Sequence, residues 1–291
     1  MANYYFKIYM RWDDYIMILN NEDKIKLKYD PNIRVKRVEL STGVFYVKYC
    51  YDEEIFKELL GKKIFDMVGI KCPNYYMFKE KHCVLSEDLD KYKNFYSTDE
   101  IIEDVRTIND LKIFFEYQLD KYNRYKNIDE LMFQIYIMHF IDILFSNVDR
   151  HTGNYGFSLN DDGTSDLIVF DHGELLDNFD KATRPPSFPS ANSLDFTSYS
   201  KEAECRYFIK NADDSVIEMM KVILSRFNFN TVRLLMKEIE RDTNYKFSCK
   251  NKLLLGYLKN YLMVYKVFSK CCKERDNVKN SKCKNKSLNS L

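Results

Sequence analysis

The chain has 291 residues, of which 45% are hydrophobic and 31% charged, a balance typical of a globular protein rather than a disordered one. Its 45 Lys and Arg residues nearly equal its 44 Asp and Glu residues, and the net charge of +1 gives no overall reason to expect binding to nucleic acid or to a membrane. The eight cysteines include no C-x-x-C pair, and the opening "MANYYFKIYMRW" is not a signal peptide. We therefore expect reduced thiols in a cytoplasmic protein.

Residues 1–50 alternate in the manner of β-strands. Four runs are rich in β-branched and aromatic residues, namely "YYFKIYM", "DYIMILN", "RVKRVEL" and "VFYVKYC", and "STG" at 41–43 joins the last two as a hairpin. From Asp52 onward, apolar residues at helical spacing predict a helix that Gly69 ends. "NYYMF" and "CVLSE" indicate two further strands. We predict a strand-rich unit over residues 1–90.

The chain after residue 90 is predicted to be mainly helical. The helices are expected over 98–121, 128–145, 214–226, 229–242 and 250–272. The most apolar stretch, 131–145, is too short to span a bilayer, so it predicts a buried helix and no transmembrane segment. Two short strands, 154–159 and 166–171, are joined by the turn "NDDGTS". We predict a helical unit over 91–272 and a basic, disordered tail over 273–291.

A polar loop, "SNVDRHTGNYGF", follows the apolar helix directly. Asp149 can accept a proton from a hydroxyl nucleophile, and the amide oxygen of Asn154 is a hard ligand suited to magnesium. Asp171 follows "LIVF" and precedes a glycine, and antiparallel pairing of the two short strands would bring it beside Asn154. Any one of these residues alone is more often a surface side chain or a helix cap. The combined D-R-H-x-x-N, hairpin and F-D-H-G order favours phosphoryl transfer.

Lys48 is the second polar residue that needs an explanation. It lies within the apolar strand "VFYVKYC", where a buried ammonium requires an anionic partner. Glu58 on the following helix can supply that partner and leave Lys48 to contact nucleotide phosphates. A strand lysine that faces solvent is the alternative interpretation.

These motifs together resemble the HipA-like serine/threonine kinases, specifically the compact kinase-only members, and more distantly the phosphatidylinositol kinases. "YVKY" is similar to the nucleotide-binding lysine strand of that family, "ELLGKKIFDMVGI" to its acidic helix, and "VLSED" at 84–88, which contains Glu87, to the hinge that holds adenine. "SNVDRHTGN" resembles the catalytic loop and "VFDHGELL" the metal-binding segment. The resemblance runs from about Val44 to Leu176.

The resemblance implies an α+β, two-lobed protein-kinase-like fold with a small β-rich N-lobe and a larger, mainly helical C-lobe. It implies ATP and Mg²⁺ as cofactors, Asp149 as the catalytic aspartate, and Asn154 and Asp171 as metal ligands. Lys48 and Glu58 take the positions of the nucleotide-binding ion pair, and Glu87 is expected near the nucleotide.

Several features depart from the family pattern. There is no G-x-G-x-x-G motif and no P-loop. Phosphate contacts from the first lobe are therefore expected from the "DPNIRVKR" region, with Lys36 as the candidate. His151, in the catalytic loop, is expected to brace that loop by hydrogen bonding. Arg150 is expected either to bind a phosphate group or to steady the activation segment. The chain is too short for the extra N-terminal subdomain of the toxin members, so a toxin–antitoxin role is not expected.

The expected function is a kinase that transfers the γ-phosphate of ATP to a Ser or Thr hydroxyl of a protein substrate. The alternatives are a lipid or small-molecule kinase, because the D-R-H-x-x-N loop does not specify the acceptor, and a nucleotide-binding scaffold without turnover. The segment after Gly173 is proline-interrupted and rich in hydroxyl residues, so autophosphorylation is expected within 183–200. No nucleic-acid partner is expected, and the sequence does not indicate an oligomeric state.

Overall fold

The computed structural model describes residues 21–27, 34–78, 82–102, 108–176 and 201–288. Its strands are β1 (Val35–Leu40), β2 (Gly43–Tyr49), β3 (Tyr75–Phe78), β4 (Cys83–Glu87), β5 (Phe95–Ser97), β6 (Tyr155–Leu159) and β7 (Ser165–Val169). Its helices are α1 (Asn21–Lys26), α2 (Asp52–Met67), α3 (Thr98–Ile101), α4 (Ile108–Tyr122), α5 (Ile128–Phe145), α6 (Lys201–Asn211), α7 (Asp214–Arg226), α8 (Phe229–Asp242) and α9 (Lys250–Leu288). The described chain is thus a small antiparallel sheet followed by a mostly helical remainder.

The first sheet has four antiparallel strands in the order β1-β2-β4-β3. As predicted, residues 41 and 42 form a tight hairpin turn, because Leu40 pairs with Gly43. Alternation along β2 sends Phe45, Val47 and Tyr49 into a small apolar core on one face. Tyr46 and Lys48 consequently lie on the other face, where Lys48 contacts Glu58 of α2.

Helix α2 is enclosed along most of its length. The residues from Ile55 to Phe65 are all buried, including the charged Lys57, Glu58, Lys62 and Lys63. Each of these charges has an ion-pair partner, as a charge taken out of water requires. The amino half of α2 thereby presents Glu58 to the sheet, and the rest packs against the helical part of the chain.

The second sheet has the order β5-β6-β7 and lies next to the polar loop. The predicted hairpin is present: β6 and β7 are antiparallel, and Tyr155 pairs with Val169. The backbone N–H of Phe170 donates to the carbonyl oxygen of Asn154 at 3.1 Å, which continues this pairing by one step. The start of β6 and the residues after β7 therefore lie at the same end of the hairpin.

Helix α5 forms the centre of the larger core. It is apolar on every side and almost wholly buried, and it packs against α4, α7 and α9. Its last carbonyl groups, at Ile143 and Leu144, accept hydrogen bonds from the buried Asn260 side chain at 2.9 and 2.6 Å. Ser146 then adopts a left-handed conformation with φ 54°, which ends the helix and starts the polar loop.

The structure differs from the sequence-based expectations at several elements. The tail predicted to be disordered from residue 273 continues α9 to Leu288, because its many lysines have good helix propensity and it contains no proline or glycine. Helices α1 and α6 and strand β5 were not predicted, and α9 is longer than expected. The two strands predicted within 4–20 and the segment 177–200 lie outside the described residues. In the part of the chain that is described, none of the helices has the length and apolar character needed to cross a membrane.

Candidate active site

Lys48 is held between two carboxylates. Its Nζ atom lies 2.9 Å from Oε1 of Glu58 and 2.9 Å from Oδ1 of Asp171, and 3.8 Å from Oε1 of Glu54. The residues come from β2, from α2 and from the segment after β7. The ion pair between Lys48 and Glu58 that the sequence led us to expect is present, and Asp171 joins the same cluster.

The three charges differ in their environments. Glu58 is fully buried, and burial raises the pKa of Glu58 to about 7 although the nearby ammonium opposes the shift. Burial also disfavours ionisation of Asp171, but Lys48 outweighs it and lowers the pKa of Asp171 to about 2. Burial disfavours the ammonium of Lys48, yet the two carboxylates together raise the pKa of Lys48 above its ordinary value. Near neutral pH the cluster thus holds a charged Lys48 and a charged Asp171.

Gly173 allows the cluster to be this compact. A Cβ atom at position 173 would lie 2.7 Å from Nζ of Lys48 and 3.4 Å from Oε1 of Glu58. A side chain there would displace the Lys48 ammonium unless the flexible lysine chain moved aside. Gly173, two residues after Asp171, thus leaves room for the ammonium at this point of the chain.

Hydrogen bonds from neighbouring residues of the polar loop hold the backbone of Asp149 in place at the surface. Asn147 accepts a hydrogen bond from the backbone N–H of Asp149 at 3.3 Å, and Nδ2 of Asn154 donates to the Asp149 carbonyl oxygen at 2.8 Å. Nδ1 of His151 accepts from the backbone N–H of Gly153 at 3.0 Å, the bracing contact expected from the sequence. The carboxylate of Asp149 is exposed and carried by an ordered loop.

Arg150 is buried beneath this loop. Its guanidinium donates to Asp142 Oδ2 at 3.1 Å, to the carbonyl oxygens of Asn154 at 3.0 Å and Phe170 at 2.7 Å, and to Nδ1 of His172 at 3.2 Å. Only 2% of the residue is exposed. This burial does not fit the phosphate-binding role considered from the sequence. Arg150 joins the polar loop, helix α5 and the residues after β7, and its effect on the activation segment stays a prediction.

The backbone around Asp171 has an uncommon conformation and is held by two hydrogen bonds. Asp171 has a left-handed conformation with φ 54°, which aspartate tolerates better than most residues. Its N–H donates to the Tyr75 hydroxyl at 3.1 Å, and the N–H of His172 donates to Oε2 of Glu58 at 2.7 Å. Glu58 thus contacts both Lys48 and the backbone next to Asp171.

Asn154 and Asp171 suit a hard divalent cation. Nδ2 of Asn154 is used in the hydrogen bond to Asp149, an orientation that leaves Oδ1 as the metal-binding atom of the amide. Asp171 is ionised and its side chain is 47% exposed, so its carboxylate can be reached from solvent. Two oxygen ligands from protein, completed by phosphate oxygens and water, are the usual protein share of a magnesium site.

One predicted site residue lies elsewhere. Lys36 pairs with Val47 and so lies on the face of the sheet opposite to Lys48, where its ammonium donates to the Lys26 carbonyl oxygen at 3.0 Å. The assignment of Lys36 as a phosphate ligand is therefore corrected. Glu87 lies at the end of β4, where its carboxylate pairs with Lys91 and accepts from the backbone N–H of Asn74, and its place near the nucleotide stays a prediction.

The same region contains a cation that the sequence did not single out. Arg34, two residues before Lys36, forms an ion pair with Glu54, and the nearby Asp171 and Glu174 carboxylates add to the effect of Glu54 in raising the pKa of Arg34. Strand alternation cannot predict that Arg34 lies beside the carboxylate cluster, because Arg34 precedes β1 and its side chain does not follow the strand pattern. Its side chain is 65% exposed at the edge of the cluster.

The chain is similar in structure to two solved kinases. A proinflammatory kinase from Helicobacter pylori, CtkA, has a TM-score of 0.59 at 15% identity, covering 85% of this chain and 97% of its own. The HipA protein of a Shewanella oneidensis toxin–antitoxin system, solved with HipB and operator DNA, has a TM-score of 0.58 at 12% identity, covering 85% of this chain and 67% of its own.

The fold resembles that of the HipA-like kinases. This agrees with the resemblance carried by the D-R-H-x-x-N and F-D-H-G motifs. No protein-family model matches the sequence, and no curated protein matches it. At these identities the similarity concerns the fold, so the chemistry has to be argued from the side chains.

Proposed function

We propose that the protein is an ATP- and magnesium-dependent kinase with a two-lobed fold that transfers the γ-phosphate to a Ser or Thr hydroxyl of a protein. The observation that carries the proposal is the position of the Lys48 ammonium, 2.9 Å from both Glu58 and Asp171. A phosphate-binding lysine held by a helix glutamate, next to a metal-binding aspartate, is the arrangement that phosphoryl transfer by protein kinases requires.

Each residue of the site has one task in this scheme. Asp149 accepts the proton of the attacking hydroxyl, because its carboxylate is exposed at the tip of a fixed loop. Asn154 and Asp171 would hold Mg²⁺, which would supply positive charge to neutralise the nucleotide phosphates. Lys48 binds a phosphate oxygen, and Glu58 keeps the ammonium in place. Arg34 lies at the edge of the cluster with most of its side chain exposed, so it can add a second cation for the nucleotide phosphates.

Incubation with ATP labelled at the γ-phosphate tests the proposal. Three acceptor sets are supplied in parallel: a protein mixture, phosphoinositide vesicles, and small hydroxyl compounds. Transfer to Ser or Thr of protein supports the proposal, and transfer only to lipid or to a small molecule supports the alternative acceptor. Nucleotide binding without any transfer would identify a scaffold.

A matched pair of variants makes this assay specific. Asp149→Ala removes the proposed base, and Asp161→Ala removes another exposed carboxylate, from the β6–β7 turn, where it pairs with Lys93. Exposed ion pairs contribute about 0–1 kcal/mol, so the control variant should fold normally. Transfer should be lost in Asp149→Ala and retained in Asp161→Ala.

Autophosphorylation within 183–200 is a further part of the proposal. The Ser and Thr residues of this segment are Thr183, Ser187, Ser190, Ser193, Thr197, Ser198 and Ser200. A phosphate adds close to two negative charges, which arginines can bind. Intact-mass analysis after incubation with ATP and magnesium tests this, with Asp149→Ala as the control. An equal mass increase in both proteins, or none in the wild type, would contradict it.

A further inference from the structure

Gly61 lies in the middle of α2, where glycine lowers helix stability by about 1 kcal/mol relative to alanine. A Cβ atom at this position would come within 2.6 Å of three atoms of His172, namely Cβ, Cγ and Cδ2. That separation is far below the van der Waals distance between carbon atoms. The glycine therefore creates the space that the side chain of His172 occupies.

The ring of His172 is held on all sides. Nδ1 accepts a hydrogen bond from Nη2 of Arg150 at 3.2 Å, so Nε2 carries the proton and donates to the thiol of Cys72 at 3.7 Å. The ring stacks on Phe65 at a centroid distance of 5.2 Å and contacts Tyr75 at 5.8 Å. Its exposed fraction is 0%.

The backbone of His172 connects this packing to the proposed metal ligand. Its N–H donates to Oε2 of Glu58 at 2.7 Å, one residue after Asp171. Gly61 and Glu58 are three residues apart on α2 and so lie on the same face of the helix. One turn of α2 thus contacts both the ring and the backbone N–H of His172.

We infer that His172 is a positioning residue, seated in a socket formed by Gly61 and fixed by Arg150 and Cys72, that sets the place of the Asp171 carboxylate relative to Lys48. The inference rests on the proposed function for its kinetic consequence, but the socket itself is independent of that function. His172 does not contact the reacting atoms. Because the surrounding side chains allow the His172 ring one orientation, the ring fixes the backbone of the adjacent residue, Asp171.

The test is a double-mutant cycle with Gly61→Ala, His172→Ala and the combined variant. Alanine at 61 should displace the ring, although on propensity alone it should stabilise the helix. Displacements of about 1 Å at a catalytic group cost up to about a hundredfold in rate. We expect kcat to fall at least about tenfold in Gly61→Ala, with a rise in the magnesium concentration needed for half-maximal rate. Adding Gly61→Ala to His172→Ala should have little further effect, because the ring with which it collides is gone.

Two measurements separate this inference from the proposed function. Calorimetric titration with a non-hydrolysable ATP analogue, with magnesium and in EDTA, should show that Gly61→Ala weakens the magnesium-dependent part of binding and leaves the metal-free part unchanged. Hydrogen exchange of the peptide covering 167–175 should be faster in Gly61→Ala, because the His172 N–H loses Glu58. This second readout needs no enzymatic activity.

The outcomes are distinct. A wild type that neither transfers phosphate nor binds magnesium with nucleotide refutes the proposed function, while faster exchange in Gly61→Ala still supports the socket. Wild-type exchange and wild-type magnesium dependence in Gly61→Ala would overturn the positioning role. Additive losses in the double variant would also overturn it, because they would show that Gly61 acts elsewhere than on the ring of His172.

Discussion

Replacing Arg150 by methionine should destabilise the whole domain. The guanidinium makes two contacts with Asp142, at 3.1 and 3.4 Å, and donates to two backbone carbonyl oxygens. Asp142 is 3% exposed, so the variant would leave its carboxylate buried with the Asn147 amide and without its cation. Removing one partner of a buried ion pair costs about 3–5 kcal/mol. A domain of ordinary stability, roughly 5–15 kcal/mol, would lose at least about a fifth of it.

The loss should depend on pH in a defined direction. Burial raises the pKa of Asp142 in the wild type, and Arg150 opposes this shift. Without Arg150 the folded-state pKa of Asp142 rises further above the unfolded value, so the folded variant binds a proton more tightly than the unfolded chain does. This stabilising contribution is present at acidic pH and is lost as the pH rises through the folded-state pKa. The variant should therefore lose less unfolding free energy, relative to the wild type, at pH 5.5 than at pH 8. The two losses should differ by about 1.4 kcal/mol for each unit by which the variant raises the pKa of Asp142 within that pH range.

Urea unfolding followed by circular dichroism at both pH values measures this. Arg124→Met is the matched control, because Arg124 is exposed over the ring of Tyr122 and a surface change should alter stability by less than about 0.5 kcal/mol. Arg150→Met combined with Asp142→Leu should lose less stability than Arg150→Met alone. A variant as stable as the wild type at pH 8 but with weaker ATP binding would refute the reasoning and make Arg150 a phosphate ligand.

Three further outcomes are expected at the candidate active site. Asp149→Ala should lower the rate of phosphoryl transfer by at least about 10²-fold. Its melting temperature should be nearly unchanged, because an exposed loop carboxylate contributes little to packing. A residual rate above a tenth of wild type in a transfer assay would contradict this. Asp171→Asn should raise the magnesium concentration needed for ATP binding, whereas Lys48→Met should lower the transfer rate because a phosphate contact is lost. A magnesium titration distinguishes the two variants. An unchanged magnesium dependence in Asp171→Asn would remove Asp171 from the site. Gly173→Ala should raise the KM for ATP, because its Cβ would lie 2.7 Å from the ammonium of Lys48; an unchanged KM would show that the ammonium can move without consequence.

The regular helices could be predicted because their patterns are local. The bounds of α7 and α8 agree with the sequence-based bounds because their apolar periodicity begins directly after the capping residues Asp213 and Asn228. The bounds of α5 agree because a nearly continuous apolar run ends at the polar loop. The Lys48–Glu58 pair could be predicted for a similar reason: a charge in an apolar strand needs a partner, and the next helix supplied one.

The remainder depends on tertiary contacts. Lys36 and Lys48 are both basic residues in strands, and only the register of β1 against β2 shows that they face opposite sides. Gly61 has the appearance of a weak point within a helix until the ring of His172 is found against it. Arg150 stands in a catalytic motif, yet its burial and its four hydrogen-bond partners are set by segments far apart in the chain. Helix α6 has too few apolar residues for its pattern to stand out from a loop.

The contacts of α2 bear on how a chemical inhibitor could act. Its amino end is tied by the Tyr245 hydroxyl to Asp52 at 2.5 Å, and its carboxyl end by Arg226 to the Met67 carbonyl oxygen at 2.7 Å. Between them, the buried Lys63 pairs with Asp242 at 3.1 Å. Under the proposed kinase function, α2 takes the position of the helix whose placement controls the lysine–glutamate pair. Displacing α2 here would strand the buried ammonium of Lys63, so ligand discovery is better directed at the solvent-accessible carboxylate of Asp171 than at a displaced α2.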